Sequence, residues 1–508
     1  MGPDAPLLAP RPSRTSLLKA AATLAIVAAV AFGPYVRGLG LYLDDWVLFE
    51  HLIHGSSWWT RVQALFAAGW GFRTLNGLLL PTLYTLFGDN LPAYHIFMIA
   101  QDWALGVAFY LFLRRWLASE RLAVTAAAFA LVLPVCPATH HWICLTQQNG
   151  AAALVLTSLW VHAGWLETRQ PRRLGMALAL FAAALLLYEA AIFLPAVQAA
   201  ALFARIGAAR PRPREAARRV AVDVALPYGL AGLAGMAWQR LLMPALLGMP
   251  YPKSVRPQWL GFTEVYAEAF SSLAPQQWDL IRRTAGVFRS TFSDPAQLLW
   301  AALVLACARR LDGPDRLDGA ERPVWTLAAL LGAGFVAAYL PFALSGAYPP
   351  QVVGVMSRTN GTGALFAGLF LAAALELGAG PRRGGRAWPR RARRWAAGLF
   401  VGACVWTDWY ITLTWIDAGK TQNAILAKAA AKVAAAPDAR LVVLRNAPAQ
   451  ESGVEVFSEH WGWASALRIV TRRWQLNGLV EKPGIAPSSE GAFIYDFAKD
   501  ELLKARRP

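Results

Sequence analysis

Two adjacent carboxylates, Asp44 and Asp45 in the stretch Leu41-Tyr42-Leu43-Asp44-Asp45-Trp46, stand directly after the first apolar run of the chain. A carboxylate beside a hydroxyl can take its proton, and a neighbouring one can orient a ligand, hold a divalent ion or stay protonated through like-charge coupling. The plainer alternative is a solvated acidic pair capping the next helix. In extended backbone the two side chains would point to opposite sides, so only one of them could face a given pocket. Arg358 opens a late apolar run, and its planar guanidinium suits phosphate oxygens. Arg73, Lys253, Arg256, Arg282 and Arg283 are further cations for an anionic ligand, or anchors to anionic headgroups. His95 could orient a carboxylate of the first loop. His140-His141 could bind a metal or a phosphate, with Asp45 and His140 as the candidate metal ligands.

The elements that must position these residues are membrane-spanning. A content of 56% hydrophobic residues with 22 Trp in 508 residues is excessive for a soluble core and normal for a polytopic membrane protein. The net charge of +18 would suggest nucleic acid in a soluble protein, but here the arginines sit in short tracts between apolar runs, the positive-inside pattern. Arg210, Arg212, Arg214, Arg218 and Arg219 form one tract, and Arg382, Arg383, Arg386, Arg390, Arg391, Arg393 and Arg394 another. Nucleic acid is not expected as a partner.

Arg11, Arg14 and the apolar run Leu17 to Val36, with Ala29-Val30-Ala31, could be read as a cleavable signal, but about 20 residues suffice for an uncleaved span. Asp44-Asp45 then emerges on the outer face, in a loop to about Leu91 whose Trp46, Phe49, Trp58, Trp59, Phe66, Trp70 and Phe72 suit amphipathic interfacial helices. Leu174 to Ala204 is too long for one span, so a hairpin is expected, turning at Tyr188-Glu189 with Glu189 at the outer rim. Spans near residues 92–113, 122–135, 150–166, 220–247, 292–308, 324–344, 359–377 and 395–415 bring the expected count to about 11.

The expected fold is thus an all-α polytopic membrane domain over residues 1–415, followed by a small C-terminal α/β domain over 416–508 on the outer side. In that domain a helix is predicted over Thr421 to Ala435, with strands at Leu441 to Leu444 and Val454 to Phe457. Cys136 and Cys144 could form a disulfide in an oxidising compartment or be two small buried apolar side chains.

Leu43-Asp44-Asp45-Trp46 after the first span, Phe72-Arg73-Thr74-Leu75, Leu86-Phe87-Gly88, Ala93-Tyr94-His95 and Leu113-Arg114-Arg115, in that order, resemble the GT-C glycosyltransferases. Leu187-Tyr188-Glu189 resembles that superfamily's leucine, lysine, glutamate turn, and Arg358 its arginine opening a late span. Thr74 stands where proline is usual, Met98 and Asp102 replace an asparagine and a histidine, and Ala138 to His141 matches the histidine-containing turn only loosely. The superfamily includes protein O-mannosyltransferases and the lipid A aminoarabinose transferase. The resemblance implies an inverting transferase that moves a sugar from a polyprenyl-phosphate donor to a glycan, glycolipid or protein hydroxyl. Asp44 would be its base, Asp45 the neighbour, and a divalent metal ion an open cofactor. The implied location is the periplasmic face of a bacterial inner membrane. A polytopic transporter or flippase would show similar spans and isolated charges, but would place its polar residues near the midplane.

Overall fold

Helix starts are marked by local chemistry. Ser13 Oγ accepts from Ser16 N at 3.1 Å, Ser119 Oγ from Leu122 N at 3.0 Å, and Ser57 with Thr60 forms a capping box. The computed structural model describes residues 8–209, 213–250, 261–286, 294–311, 321–345, 348–378, 390–481 and 491–505. Lys253, Arg256, Arg210, Arg212, Arg382, Arg383 and Arg386 lie outside the described residues.

Among the described residues, six helical segments are long and apolar enough to cross a bilayer: Arg14–Phe32, Leu91–Trp116, Glu189–Gly207, Pro213–Leu247, Val324–Ser345 and Arg391–Ala434. This fits a mostly helical membrane protein and corrects the expected count of about 11. Length is one reason, since the 13 residues of Glu120–Val132 extend only ~20 Å, against a hydrocarbon core of ~30 Å. Polarity is another. Thr146–Thr168 is long enough but carries Gln147, Gln148, Asn149 and His162, which are buried among other helices. Burial between helices makes a segment apolar without any lipid contact. Glu120–Val132 packs against Gly361–Gly378 so closely that a Cβ on Gly368 would lie 2.5 Å from Ala130 N.

The break predicted at Tyr188-Glu189 is present, because Pro171–Leu187 ends there, a 3₁₀ turn spans Glu189–Ala191, and Pro195–Ala209 begins beyond it. The two helices do not form a mutually packed hairpin. The first packs chiefly on Thr146–Thr168 and the second on Glu321–Ser345.

The aromatic first loop folds into helices Asp44–His54, Trp58–Ala67 and Thr74–Phe87. It has its own core of Leu48, Phe49, Leu52, Leu65, Leu80 and Leu83 against Tyr94 and Met98. Trp46, Phe49 and Phe72 therefore point inward, while Trp58 and Trp59 stay exposed as interfacial side chains would.

The helix Arg390–Ala434 runs unbroken through Trp415 for 45 residues, ~67 Å, and feeds the C-terminal unit without a linker. There β1 (Leu441–Arg445), β2 (Gln450–Glu451), β3 (Val454–Glu455), β4 (Asn477–Val480), β5 (Ala492–Asp496) and β6 (Glu501–Lys504) follow. β1 is central, parallel to β4 and β5, and β6 closes the edge antiparallel to β5. The helix His460–Thr471 packs on β4 and on Asp44–His54.

One apolar cluster joins this unit to the membrane part. It runs from Leu39, Tyr42, Trp142 and Trp415 to Val442, Trp463 and Tyr495. Trp463 is fully buried, donates its indole N–H to Val442 O at 3.1 Å and rests on Phe457. Trp463→Ala should destabilise the C-terminal unit by about 3–5 kcal/mol. Chemical denaturation in detergent, followed by proteolysis of residues 436–505, measures this. Cys136 and Cys144 are both buried and free, so the small-apolar reading describes them.

Candidate functional site

The turn before Asp44–His54 is set by Asp45. Its Oδ2 accepts from Tyr42 N at 3.0 Å and its Oδ1 from Cys144 N at 2.7 Å, while Tyr42 Oη donates to Trp415 O at 2.6 Å. Between them Leu43 is forced to φ +45°, a costly conformation for a leucine. The acidic pair therefore opens a helix, not an extended strand. Asp45 is fully buried, its oxygens taken by backbone N–H groups, and Asp44 lines a cavity. Burial pushes Asp45 well above the usual carboxylate range; the Tyr42 and Cys144 amides oppose that shift, and the charge of Asp44 adds less to it than burial does. Asp45 does not line the cavity: it holds the turn that presents Asp44.

The cavity has a volume of about 730 Å³ and receives charged groups from five separate elements. Asp44 comes from the first loop, Arg73 from the turn before Thr74–Phe87, Glu189 from the helix break, Arg240 from the wide turn Trp238–Leu242, and Arg358 from the 3₁₀ turn Val355–Asn360. Arg73 donates to both oxygens of Glu189, at 2.7 and 2.6 Å, and its guanidinium lies 4.4 Å from the Tyr188 ring centroid. Glu189 thus helps to orient a cation as well as facing the cavity.

Arg358 is held differently. Its guanidinium lies against the rings of Tyr348 and Trp142, at 4.7 and 5.3 Å, with no carboxylate within ion-pair distance among the described residues. The turn under it is fixed. Gln148 Nε2 donates to Arg358 O at 2.7 Å, Ala138 N to Ser357 Oγ at 3.0 Å, and Asn360 Nδ2 to Val135 O at 2.9 Å. Gly354 enters the turn at φ +70°, where a Cβ would lie 2.6 Å from Gly453 O, and Val355 N donates to Glu455 Oε2 at 3.2 Å. The C-terminal unit therefore buttresses the Arg358 turn as well as the Asp44 turn.

Two amides in the wall await partners. Asn76 is fully buried with neither amide atom hydrogen-bonded, and Gln147 leaves its Oε1 without a partner. Orphaned buried amides cost about 1–3 kcal/mol each, a cost that a polar ligand or water in the cavity removes.

Neither His95 nor the pair His140-His141 lines this cavity. His95 is buried on Leu91–Trp116 with both ring nitrogens unpartnered. His140 Nδ1 meets Asp102 Oδ2 at 2.9 Å, its ring stacks on Phe32, and Asn149 donates to the other Asp102 oxygen. Burial works against a charged His140, but Asp102 outweighs it, and the pKa is raised well above the ordinary value. His141 Nε2 faces Thr412 Oγ1. Arg282 and Arg283 are exposed and pair with Asp279. Among the described residues no three His, Cys, Asp or Glu side chains converge as a metal site, and Asp45 and His140 are each committed elsewhere. The donor set expected for a metal does not fit one.

Asn76, Gln147, Tyr348 and Arg240 were missed in the sequence. Arg240 carried a signal, being an isolated cation inside a long apolar run.

The helix His460–Thr471 docks on the element that carries Asp44. Glu50 pairs with Arg468 at 2.6 Å, and Trp461 Nε1 donates to Asp44 Oδ1 at 3.0 Å. For Glu50, burial alone would raise the pKa, but the Arg468 hydrogen bond and charge outweigh it and the net shift is downward. A depressed carboxylate stabilises the fold above its unfolded value and loses that contribution as pH falls through the folded one. Docking of helix His460–Thr471 should thus hold at neutral pH and loosen as pH falls below 4.5, the ordinary glutamate value. Glu50→Gln should flatten this dependence, read by hydrogen exchange over residues 460–471.

No family model matches the chain, and a search of curated proteins finds no significant match.

Proposed function

We propose that the chain is an inverting glycosyltransferase of the GT-C kind, moving a sugar from a polyprenyl-phosphate donor to an acceptor hydroxyl at the periplasmic face of a bacterial inner membrane. The observation that carries this reading is the cavity itself, where Asp44 shares about 730 Å³ with Arg240, Arg358 and the Arg73–Glu189 pair. Transfer from a lipid phosphate needs a base for the hydroxyl proton and positive charge for the leaving phosphate. It needs no acid, because phosphate departs as a stable anion.

In this reading the acceptor O–H gives its proton to Asp44 as the oxygen attacks the anomeric carbon. The bond from that carbon to the phosphate oxygen breaks, and polyprenyl phosphate keeps the electron pair. Arg358 and Arg240 hold its charge, and attack opposite the leaving group inverts the centre. Arg73 is oriented by Glu189, and the amides of Asn76 and Gln147 supply hydrogen bonds to sugar hydroxyls. The chain's own groups cover each step, so no metal is invoked.

A transporter would need a polar route through the bundle. The buried Asp102–His140–Asn149 network encloses a void of only about 20 Å³, room for a single water.

The test is reconstitution in vesicles with a panel of polyprenyl-phosphate sugars and candidate acceptors. Release of polyprenyl phosphate coupled to glycosylated product is expected for one donor. Movement of a lipid-linked sugar across the bilayer without any bond cleavage would overturn the reading.

A further inference from the structure

Outside the cavity, an aromatic side chain of the C-terminal unit is tied to the carboxylate that lines it. Trp461 is 41% exposed, yet it has fixed partners. Its Nε1 is tied to Asp44 Oδ1 at 3.0 Å, and the His460 ring meets it edge-on at 4.9 Å. The next residue, Gly462, abuts the Leu43 backbone so closely that a Cβ would sit 3.3 Å from Leu43 O. Trp463 anchors the same turn in the core, and the Glu50–Arg468 pair fixes the helix one face further along. A part-exposed indole is thereby held beside Asp44, the cavity carboxylate proposed to act as base.

We propose that Trp461 is the platform of an acceptor subsite, and that the acceptor presents a pyranose ring. This rests on the glycosyltransferase reading, and it narrows the acceptor to a carbohydrate, whether free glycan or glycolipid. A pyranose has one face of C–H groups and an equatorial rim of hydroxyls. Stacked on an indole, its apolar face is removed from water by a flat partner that loses little conformational freedom in doing so. The hydroxyls then project sideways, and the indole N–H already marks where the side is: it points at Asp44. Stacking and proton acceptance are thus coupled through one residue, so a ring on Trp461 presents a hydroxyl to the carboxylate that Trp461 orients. A serine or threonine of a peptide has no such face and would gain nothing from the indole.

The full-length protein in nanodiscs is probed by saturation-transfer NMR with methyl glucoside, methyl galactoside, methyl mannoside and a Ser/Thr peptide, without donor, so the readout does not depend on turnover. The expected result is saturation of the ring C–H protons of at least one methyl pyranoside, lowered about tenfold in Trp461→Ala and retained in Trp461→Phe, which keeps a stacking face. Thermal unfolding of both variants identifies loss through misfolding; Trp461→Phe then decides, since its retention with a folded protein requires the face and not the N–H. Absence of pyranoside saturation in wild type, equal saturation in folded Trp461→Ala, or Trp461-dependent saturation of the peptide would each overturn the proposal. A catalytically inert wild type that still shows Trp461-dependent pyranoside saturation would sink the transferase reading and leave the sugar subsite standing.

Discussion

Asp44→Asn should abolish sugar transfer, lowering the rate by about 10²–10⁴-fold, the usual contribution of a positioned general base. The substitution keeps the shape and the oxygen that accepts from Trp461 Nε1, so that hydrogen bond survives. What it removes is the ability to hold the acceptor's proton. The neighbouring change makes the contrast informative. Asp45 accepts from Tyr42 N and Cys144 N with its two oxygens, and an asparagine there would turn an NH₂ toward one of those donors. Asp45→Asn should therefore destabilise the fold by about 1–3 kcal/mol. Transfer per folded molecule measures the first effect and thermal unfolding the second. Full transfer by Asp44→Asn would remove it as the base. An unchanged melting point for Asp45→Asn would contradict its part in holding the turn.

That asymmetry explains what the sequence could and could not convey. The location of the pair after an apolar run was legible, as was the break at Tyr188-Glu189, because a carboxylate in an apolar stretch has few tolerable positions. The inward side chain of the pair was not legible, since it is decided by the amide of Cys144, 99 residues away. The number of spans was overestimated for a related reason. Hydropathy reports transfer from water, and Glu120–Val132 satisfies it by packing on Gly361–Gly378 instead of lipid. The strands of the C-terminal unit split the same way. β1 has an unbroken buried run, Val442 to Leu444, and could be predicted, whereas β4 and β6 are edge strands with mixed exposure that only their neighbours define. The surroundings of the histidines were not legible, because a polar turn between apolar runs looks alike whether it faces a cavity or, as with His140 and Asp102, a buried partner.

Arg358 is where sequence position and geometry meet, and its replacement should rank beside Asp44→Asn in effect. Its guanidinium rests against Tyr348 and Trp142, and its backbone is held by Gln148. The aromatic faces stabilise a planar cation without neutralising it, and this leaves its charge for an incoming phosphate. Arg73 is the counterexample in the same cavity, with a bidentate bond to Glu189. Arg358→Ala should lower transfer by about 10²–10³-fold, the scale for removing one preorganised stabiliser of developing charge. Arg358→Lys should recover little of it, because an ammonium lacks both the fork that grips two phosphate oxygens and the plane that lies on the rings. The partition between constants carries the mechanistic content. Charge on the bridging oxygen grows as the glycosidic bond breaks, so an arginine that meets it there acts more on the transition state than on bound donor. The loss should fall mainly on kcat with a smaller rise in KM for the donor. A purely KM effect would recast Arg358 as a docking cation for a phosphate already fully charged, and unchanged transfer in Arg358→Ala would remove it from the site.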